Sequence, residues 1–184
     1  DVRGQDGSPH DVVFNNTGSK MFIVGGDNDD LLEYDLSTNF DISTATYSQS
    51  FSIGSEESAP NDLIFNNDGS KMYVVGGIDD AVVQYSLGTP FDLSTASYDG
   101  IGEEFSVASE ESTPSGIAFS ATGDRLYVTG TEGDAVVQYS LGTNFDVSTA
   151  TYDGAAEEFD VVDTAGSAPS DIAFNADGTK MYYS

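Results

Sequence analysis

Cysteine is absent from this 184-residue chain, and basic residues are scarce. Without cysteine there is no disulfide framework, no thiol nucleophile and no Cys-ligated zinc site. Five Lys and Arg stand against 32 Asp and Glu, which gives a formal net charge of −27. Because basic side chains drive phosphate binding, nucleic acid and anionic membrane surfaces are poor partners for this protein.

Long apolar runs and a leader segment are missing as well. No apolar run approaches the roughly 18 residues needed to span a bilayer, so we expect no membrane insertion. The chain starts at Asp1 without a basic and apolar leader, which favours a processed, trimmed or partial chain. Its 11 Phe and 10 Tyr nevertheless indicate a folded acidic protein rather than a disordered tail.

An internal repeat is the strongest pattern in the sequence. The segments PHDVVFNNTGSKMFIVGG, PNDLIFNNDGSKMYVVGG, PSGIAFSATGDRLYVTG and PSDIAFNADGTKMYYS are four versions of one unit. One phenylalanine marks the same position in each unit, at intervals of 51, 54 and 55 residues: Phe14, Phe65, Phe119 and Phe174. Nearly every residue belongs to this period, which is typical of repeat architectures.

Each unit divides into four short segments that alternate with a period of two, as strands do. The first two flank a turn such as NNDG, in which Gly69 suits a left-handed hairpin position. In the third, Leu32 and Tyr34 share one face and Glu33 lies on the other, which predicts one core face and one that is wet or at an edge. A linker of the form TxFDxSTAxY precedes the fourth strand, which is carried by Phe51 and Ile53 in the first unit.

Four antiparallel strands in about 50 residues predict one blade of a β-propeller. The fold class is therefore all-β, with about three complete blades and a partial one. A β-sandwich is the alternative, but its strands need not repeat turns and aromatics at a fixed period. Within a single repeat region, 1–184, we predict blades at about 10–56, 61–110 and 115–163, a partial blade at 170–184, and the end of a preceding blade at 1–9.

A family resemblance supports this interpretation. The stretch Ile64–Gly76, IFNNDGSKMYVVG, resembles the core hairpin of YVTN-type propellers. More closely, the chain resembles acidic repeats of about 50 residues carrying TPFDLSTASY, which recur in predicted proteins of marine microbes and phages. The resemblance covers essentially the whole chain. It implies the propeller fold but no single function, because such repeats occur in enzymes, adhesins and structural proteins.

No catalytic constellation is visible. His10 is the only histidine, and its counterparts in the other units are Asn61, Ser115 and Ser170. We interpret His10 as a polar residue of an inter-blade loop, with a general base or metal ligand as the alternative. The sequence has no nucleophile elbow, paired-acid signature or P-loop, so we predict no catalytic residue.

Two sets of acidic residues are candidates for cation binding. Asp11, Asp62 and Asp171 open the first strand of their units, where a ring of carboxylates suits Ca²⁺, although Gly116 interrupts the ring. The alternative is that each Asp binds nearby turn amides. The second set forms either solvated hairpin tips or weaker metal sites: Asp27, Asp29, Asp30, Asp79, Asp80 and Asp134. No cofactor is required, and calcium is the one that these residues suggest.

The sequence-based hypothesis is a non-catalytic propeller module. It would bind a glycan, a protein or an ion, or act as a scaffold, at an extracellular, cell or virion surface. One alternative is part of a propeller-type hydrolase or lactonase whose active site lies outside this chain, and another is a structural subunit of a fibre or appendage. Because an open arc of blades exposes apolar faces, we also predict self-association or further blades of a longer chain.

Overall fold

The computed structural model describes residues 2–161 and 168–184, which form four antiparallel sheets. The first sheet contains β1 (Pro9–Phe14), β2 (Lys20–Gly25), β3 (Asp30–Leu36) and β4 (Ala45–Ser52). The second contains β5 (Pro60–Phe65), β6 (Lys71–Gly76), β7 (Ala81–Leu87), β8 (Ala96–Tyr98) and β9 (Phe105–Ser106). The third contains β10 (Pro114–Phe119), β11 (Arg125–Gly130), β12 (Ala135–Leu141), β13 (Ala150–Tyr152) and β14 (Phe159–Asp160). The last contains β15 (Ile172–Phe174) and β16 (Met181–Tyr183).

Consecutive strands are neighbours in every sheet. In the second sheet β8 and β9 both pair with β7, so together they occupy the position of the fourth strand, as β13 and β14 do in the third. A 3₁₀ turn, Ile101–Glu103, separates β8 from β9, whereas β4 runs without interruption. These three extra residues explain why the second repeat interval, at 54 residues, exceeds the first, at 51.

The sheets stack through their first strands. Strand β1 contacts β5, β5 contacts β10, and β10 contacts β15, so the first strand of each sheet is the inner one. This stacking confirms the predicted all-β propeller with three four-stranded blades and a partial one. Residues 1, 162 and 163 of the predicted ranges 1–9 and 115–163 lie outside the described residues. No helix in the described part of the chain is long and apolar enough to cross a membrane.

The third strands are buried on both faces over most of their length, although Asp35 near the end of β3 stays exposed, and this corrects the prediction of one core face. The Glu33 side chain is only 1% exposed because the following blade covers it. Glu33 Oε2 accepts hydrogen bonds from Gln49 Nε2 at 2.7 Å and from the Leu93 amide at 2.9 Å, and Oε1 pairs with the Lys20 ammonium. The alternation therefore separates two faces. Leu32 and Tyr34 lie on one, and the other combines the buried Leu31 with Glu33, whose carboxylate is hydrogen-bonded across blades.

The repeated phenylalanine lies at the centre of each contact between blades. Phe65 stacks on Phe22 of the preceding blade, with ring centroids 4.7 Å apart, and on Phe91 of its own blade at 5.1 Å. Phe119 repeats the arrangement with Tyr73 at 4.7 Å and Phe145 at 5.3 Å. We call this trio of rings, two from one blade and one from the blade before it, the inter-blade joint.

The TxFDxSTAxY segment is more than a linker. Asp92 caps the 3₁₀ turn Leu93–Thr95 by accepting a hydrogen bond from the Ser94 amide at 3.0 Å. The next residues, Ala96–Tyr98, already pair with β7. The fourth strand therefore begins earlier than predicted, because the capped turn redirects the chain back along the sheet edge.

Candidate functional site

The inner strands begin around one polar cavity of about 410 Å³, which we call the inner-strand pocket. Each of β1, β5 and β10 starts at a proline, and the one or two residues after it face the cavity. The repeat thus brings one set of positions together from every blade. The pocket is lined by Pro9, His10, Asp11, Asn61, Asp62, Ser115, Ser170, Asp171 and Ser184.

Asp62 is the most enclosed acidic group of this pocket, at 4% exposure. Its Oδ1 accepts a hydrogen bond from the Leu63 amide, and its Oδ2 accepts one from the Ile117 amide of the next blade, both at 2.7 Å. Asp171 Oδ1 accepts one from the Ile172 amide at 2.6 Å. At both positions the carboxylate binds amides of the inner strands, whereas the alternative interpretation predicted turn amides.

Gly116 interrupts the carboxylate ring for a steric reason. A Cβ atom at this position would lie 2.8 Å from Asp171 Cα and 3.2 Å from the Ile172 amide nitrogen. No side chain fits there because the backbone of the last sheet comes too close. With no side chain at Gly116, the Ile117 amide donates its hydrogen bond to Asp62. The charge of Asp171 is also close enough to Asp62 to affect its pKa.

Asp11 and Asp62 form a coupled carboxyl pair. Asp11 Oδ2 is buried and receives no hydrogen bond from an N–H or hydroxyl donor of the described residues. Burial, followed by the charge and hydrogen bonding of Asp11 and the charge of Asp171, raises the pKa of Asp62 well above its usual range. Burial also raises the pKa of Asp171.

His10 is oriented by the neighbouring blade. Its Nδ1 lies 2.7 Å from the Pro60 carbonyl oxygen, which only accepts hydrogen bonds, so Nδ1 carries the proton. Nε2 of the neutral ring is then an acceptor. Asn61 makes the equivalent bond to the Pro114 carbonyl at 3.0 Å, and Ser115 to the Pro169 carbonyl at 3.2 Å. His10 lies in β1 rather than in the predicted loop, contacts the next blade there, and is a solvent-exposed base beside the carboxyl pair.

The acidic hairpin tips have structural roles in the turns between second and third strands. Asp29, Asp80 and Asp134 adopt left-handed backbone angles, with φ of 54°, 49° and 48°. Their carbonyls accept hydrogen bonds at 2.8–2.9 Å from the buried residues that follow the outer strands: Ile53, Val107 and Val161. Of the other tip residues, Asp27 accepts a hydrogen bond from the Gly7 amide at 3.1 Å, while Asp30 begins β3 and Asp79 precedes Asp80.

No group of three or more acidic or histidine side chains within 2–161 and 168–184 is arranged to hold a metal ion. The inner carboxylates are engaged with amides and with each other, and the tips of different blades are separate turns. Calcium binding at either set stays a prediction.

A further set of buried carboxylates escaped the sequence analysis. Asp6, Glu57 and Glu111 are 2%, 0% and 1% exposed, and each lies three residues before the proline that opens an inner strand. Glu111 accepts amide hydrogen bonds from Thr113 and from the β11–β12 turn. Burial raises the pKa of Glu57 even though backbone amides bind its carboxylate. Their constant spacing of three residues before a proline is the sequence signal that could have predicted these carboxylates.

The carboxyl pair should make stability depend on pH. Folded Asp62 holds its proton to higher pH than unfolded Asp62, so the free energy of unfolding falls as pH rises through the folded pKa. Asp11→Asn removes the neighbouring charge and supplies an N–H donor. We expect a higher melting temperature than wild type at about pH 8 and little difference at about pH 4.

The matched control is Asp35→Asn, which removes the same charge from a side chain that is 59% exposed. It should leave the pH slope of the melting temperature unchanged. An Asp11→Asn variant with the wild-type slope would show that the pair is not its source.

The stacked four-stranded sheets with a polar pocket at their inner strands define a β-propeller. Over residues 2–184 the sequence matches the family described as lactonase, seven-bladed β-propeller, and the chain belongs to that family. No curated protein matches the sequence.

Solved structures share the fold at low sequence identity. A candidate 6-phosphogluconolactonase from Bacteroides uniformis is 16% identical, with a TM-score of 0.66, and the match covers 95% of this chain and 46% of that one. The periplasmic gluconolactonase of Pseudomonas aeruginosa is 15% identical, with a TM-score of 0.57 and coverages of 95% and 42%. Hydrazine synthase from Kuenenia stuttgartiensis is 16% identical, with a TM-score of 0.62 and coverages of 97% and 42%. The chain thus spans about half the length of these structures.

The family membership corrects the functional hypothesis. A non-catalytic binding or scaffolding module was predicted because no copy of the repeat carries a recognisable catalytic motif. That prediction, with its conclusion that the protein is not an enzyme, is contradicted by the lactonase family match and by the gluconolactonase names among the structural neighbours. The alternative of part of a propeller-type hydrolase or lactonase is favoured instead, and its placement of the active site outside this chain stays a prediction. Sequence motifs failed here because a propeller builds its pocket from single residues about 50 positions apart.

Proposed function

We propose that this protein is a lactonase, which opens a cyclic ester by adding water, and that the reaction takes place in the inner-strand pocket. The observation that carries the proposal is the lactonase family match over residues 2–184. The pocket supports it with a concave polar surface that contains a carboxyl group of raised pKa, a combination typical of acid–base sites.

His10 is the proposed general base. The Pro60 carbonyl holds its Nδ1 proton, so Nε2 is available to take a proton from water as that water attacks the lactone carbonyl carbon. Asp62 is the proposed acid, because burial and the neighbouring charge of Asp11 raise its pKa and because it lines the pocket. As the ring C–O bond breaks, the leaving oxygen receives the proton of Asp62. The proton that His10 took from water then passes to Asp62, which restores both groups. The product is the open hydroxy acid.

The proposed substrate is an uncharged sugar lactone. The support for a sugar lactone is the name of the Pseudomonas neighbour, a gluconolactonase. The support for an uncharged one is the pocket itself: it contains three Asp, and none of the described residues around it is Lys or Arg. A phosphorylated lactone would bring a dianion next to these carboxylates, which Coulomb repulsion disfavours.

The test is a pH-stat assay of glucono-1,5-lactone hydrolysis, corrected for the spontaneous reaction. His10→Asn is the decisive variant, because Asn61 already makes the same carbonyl bond at the equivalent position of the next blade. We expect kcat to fall roughly 10²- to 10⁴-fold, the usual contribution of a general base. The control Asn16→Ala removes an inter-blade hydrogen bond outside the pocket, from Asn16 Nδ2 to the Asn67 carbonyl at 2.7 Å, and should keep most of the activity.

A wild-type rate equal to the spontaneous one would refute the proposed activity. A fully active His10→Asn protein would refute the role of His10 and leave the activity standing.

We propose further that the protein works outside the cytoplasm, as the sequence predicts. The support is that a neighbour of the same fold is a periplasmic enzyme and that the net charge of −27 disfavours anionic partners such as nucleic acid. The resemblance to acidic repeats of marine microbes and phages stays a prediction.

A further inference from the structure

A second polar cavity lies at the outer edge of the second blade, and we call it the outer pocket. Its volume is about 520 Å³, and it is lined by residues of β8, of β9 and of the 3₁₀ turn between them. The first and third blades both pack against this blade, so the pocket is not a face between blades. Its lining includes three carboxylates, one aromatic ring and one exposed apolar side chain: Glu56, Asp79, Glu104, Tyr98 and Ile101.

The Tyr85 hydroxyl beside this pocket is buried without a partner. Tyr85 is 0% exposed, and its hydroxyl makes no hydrogen bond of good geometry with any described residue. In the first and third blades the equivalent hydroxyl donates at 3.3 Å to the residue at the position of Glu56: Tyr34 to Gln5, and Tyr139 to Glu110. An unsatisfied buried hydroxyl is costly, so it points to a partner that the described chain does not supply.

This hydroxyl faces the carboxylates of the outer pocket. Burial, followed by the charges of Glu56, Tyr98 and Glu104, raises the pKa of Tyr85, and all three of these residues line the cavity. The Tyr98 hydroxyl is itself satisfied, because it donates to Glu104 Oε1. The pocket therefore combines two carboxylates with one buried phenol oxygen that lacks a partner.

These groups suit a positively charged ligand that carries several N–H donors. An ammonium group has three such donors, and Glu56, Glu104 and the Tyr85 oxygen are three acceptors. The electron-rich ring of Tyr98 attracts a cation as well. Ile101, which is 84% exposed, offers apolar surface to a carbon chain attached to the ammonium.

The third blade repeats the two glutamates and the two tyrosines but lacks the other features. Gly133 occupies the position of Asp79, and Ala155 occupies the position of Ile101. Its buried phenol, on Tyr139, is already hydrogen-bonded to Glu110. The third blade therefore provides a comparison of similar charge in which the hydroxyl has its partner.

We propose that the outer pocket binds a primary alkylammonium group, with Glu56, Glu104 and the Tyr85 hydroxyl as its acceptors. Asp79 adds a third negative charge. Ca²⁺ is a poorer occupant, because it requires about six to eight oxygen ligands and no three acidic or histidine side chains in the described part of the chain are arranged for a metal. The ammonium group could come from a free alkylamine or from a lysine side chain of a partner protein. This site is separate from the inner-strand pocket and does not depend on the proposed lactonase activity.

An NMR titration of the isotope-labelled protein with pentylammonium chloride tests the proposal. About 0.15 M NaCl screens the remote charges of this acidic chain. We expect saturable shifts centred on the amides of Tyr98, Ile101 and Glu104. A second titration with Nα-acetyl-lysine methylamide distinguishes the sources: binding of both probes supports a lysine side chain, and binding of pentylammonium alone supports a free alkylamine. Ca²⁺ that moves the same amides at a lower concentration than either probe would overturn the proposal.

Two variants test the acceptors. Glu104→Gln should weaken pentylammonium binding at least about tenfold, because it removes a charge-assisted hydrogen bond. Tyr85→Phe removes only the unpaired hydroxyl, so it should weaken binding roughly two- to tenfold without lowering the melting temperature. This combination separates the loss of a ligand contact from a loss of folding.

The matched control is Glu110→Gln, which removes the equivalent charge from the third blade. It should change the affinity for pentylammonium by less than about twofold, because salt screens a distant charge. No binding of either probe, or an affinity that Glu104→Gln and Tyr85→Phe leave unchanged, would overturn the proposal.

Discussion

Glu111→Ala is expected to lower the free energy of unfolding by about 3 kcal/mol, because three partly buried backbone amides lose the buried carboxylate that accepts their hydrogen bonds. Glu111 Oε1 accepts hydrogen bonds from the Thr113 amide at 2.9 Å and the Glu132 amide at 3.2 Å, and Oε2 accepts one from the Gly133 amide at 2.9 Å. An unsatisfied buried amide costs about 1–3 kcal/mol, and entry of water recovers part of that loss.

The loss of the Glu111 charge on its own should stabilise the protein, which is opposite to the expected effect of Glu111→Ala. Removing one carboxylate from a chain of net charge −27 relieves repulsion, so any destabilisation occurs in spite of it. Glu132→Ala is the matched control, since it removes the same charge from an exposed side chain of the adjoining turn and should change stability by about 0.5 kcal/mol or less. Urea denaturation measures both variants. Equal midpoints for the two would mean that Glu111 does not hold the turn.

The fold could be predicted from the sequence because its determinants are local and repeated. The turns, the strand alternation and the phenylalanine at Phe14, Phe65, Phe119 and Phe174 recur at nearly constant spacing, and this is enough to define a blade. The burial of Glu33 could not be predicted from the sequence. Its burial depends on the following blade, and a period-two pattern states which residues share a face without stating what covers each face.

The candidate site was predictable only in part. The positions of Asp11, Asp62 and Asp171 at the start of inner strands were apparent from the repeat, and the structure places all three around one pocket. The interaction between Asp11 and Asp62 could not be predicted, because it depends on which amides donate hydrogen bonds to each carboxylate and on the missing side chain at Gly116. The tautomer of His10 likewise depends on a carbonyl 50 residues away.

Gly69 is required for two reasons, and the sequence indicates only the first. The sequence predicts a glycine here for its left-handed backbone, and φ is indeed +74°. In addition, a Cβ atom would lie 2.2 Å from the ring of Phe91, and the Phe91 amide donates to the Gly69 carbonyl at 3.0 Å. Phe91 has a φ of 57°, which is strained for an aromatic residue and is stabilised by this contact.

Gly69→Ala is therefore expected to destabilise the protein by about 3 kcal/mol, from about 1 kcal/mol of left-handed backbone strain and about 2 kcal/mol of overpacking. Thermal unfolding should show a melting temperature lower by about 10 °C for a domain of this size.

Two control variants separate backbone strain from overpacking. Gly178→Ala has a matching φ of +69° and no atom within 4 Å of the new Cβ, so it should show the backbone strain alone. Gly102→Ala has neither feature and should be nearly neutral. If Gly69→Ala loses no more stability than Gly178→Ala, the Phe91 ring moves aside freely, and the aromatic stack at the inter-blade joint is not held in place by the glycine.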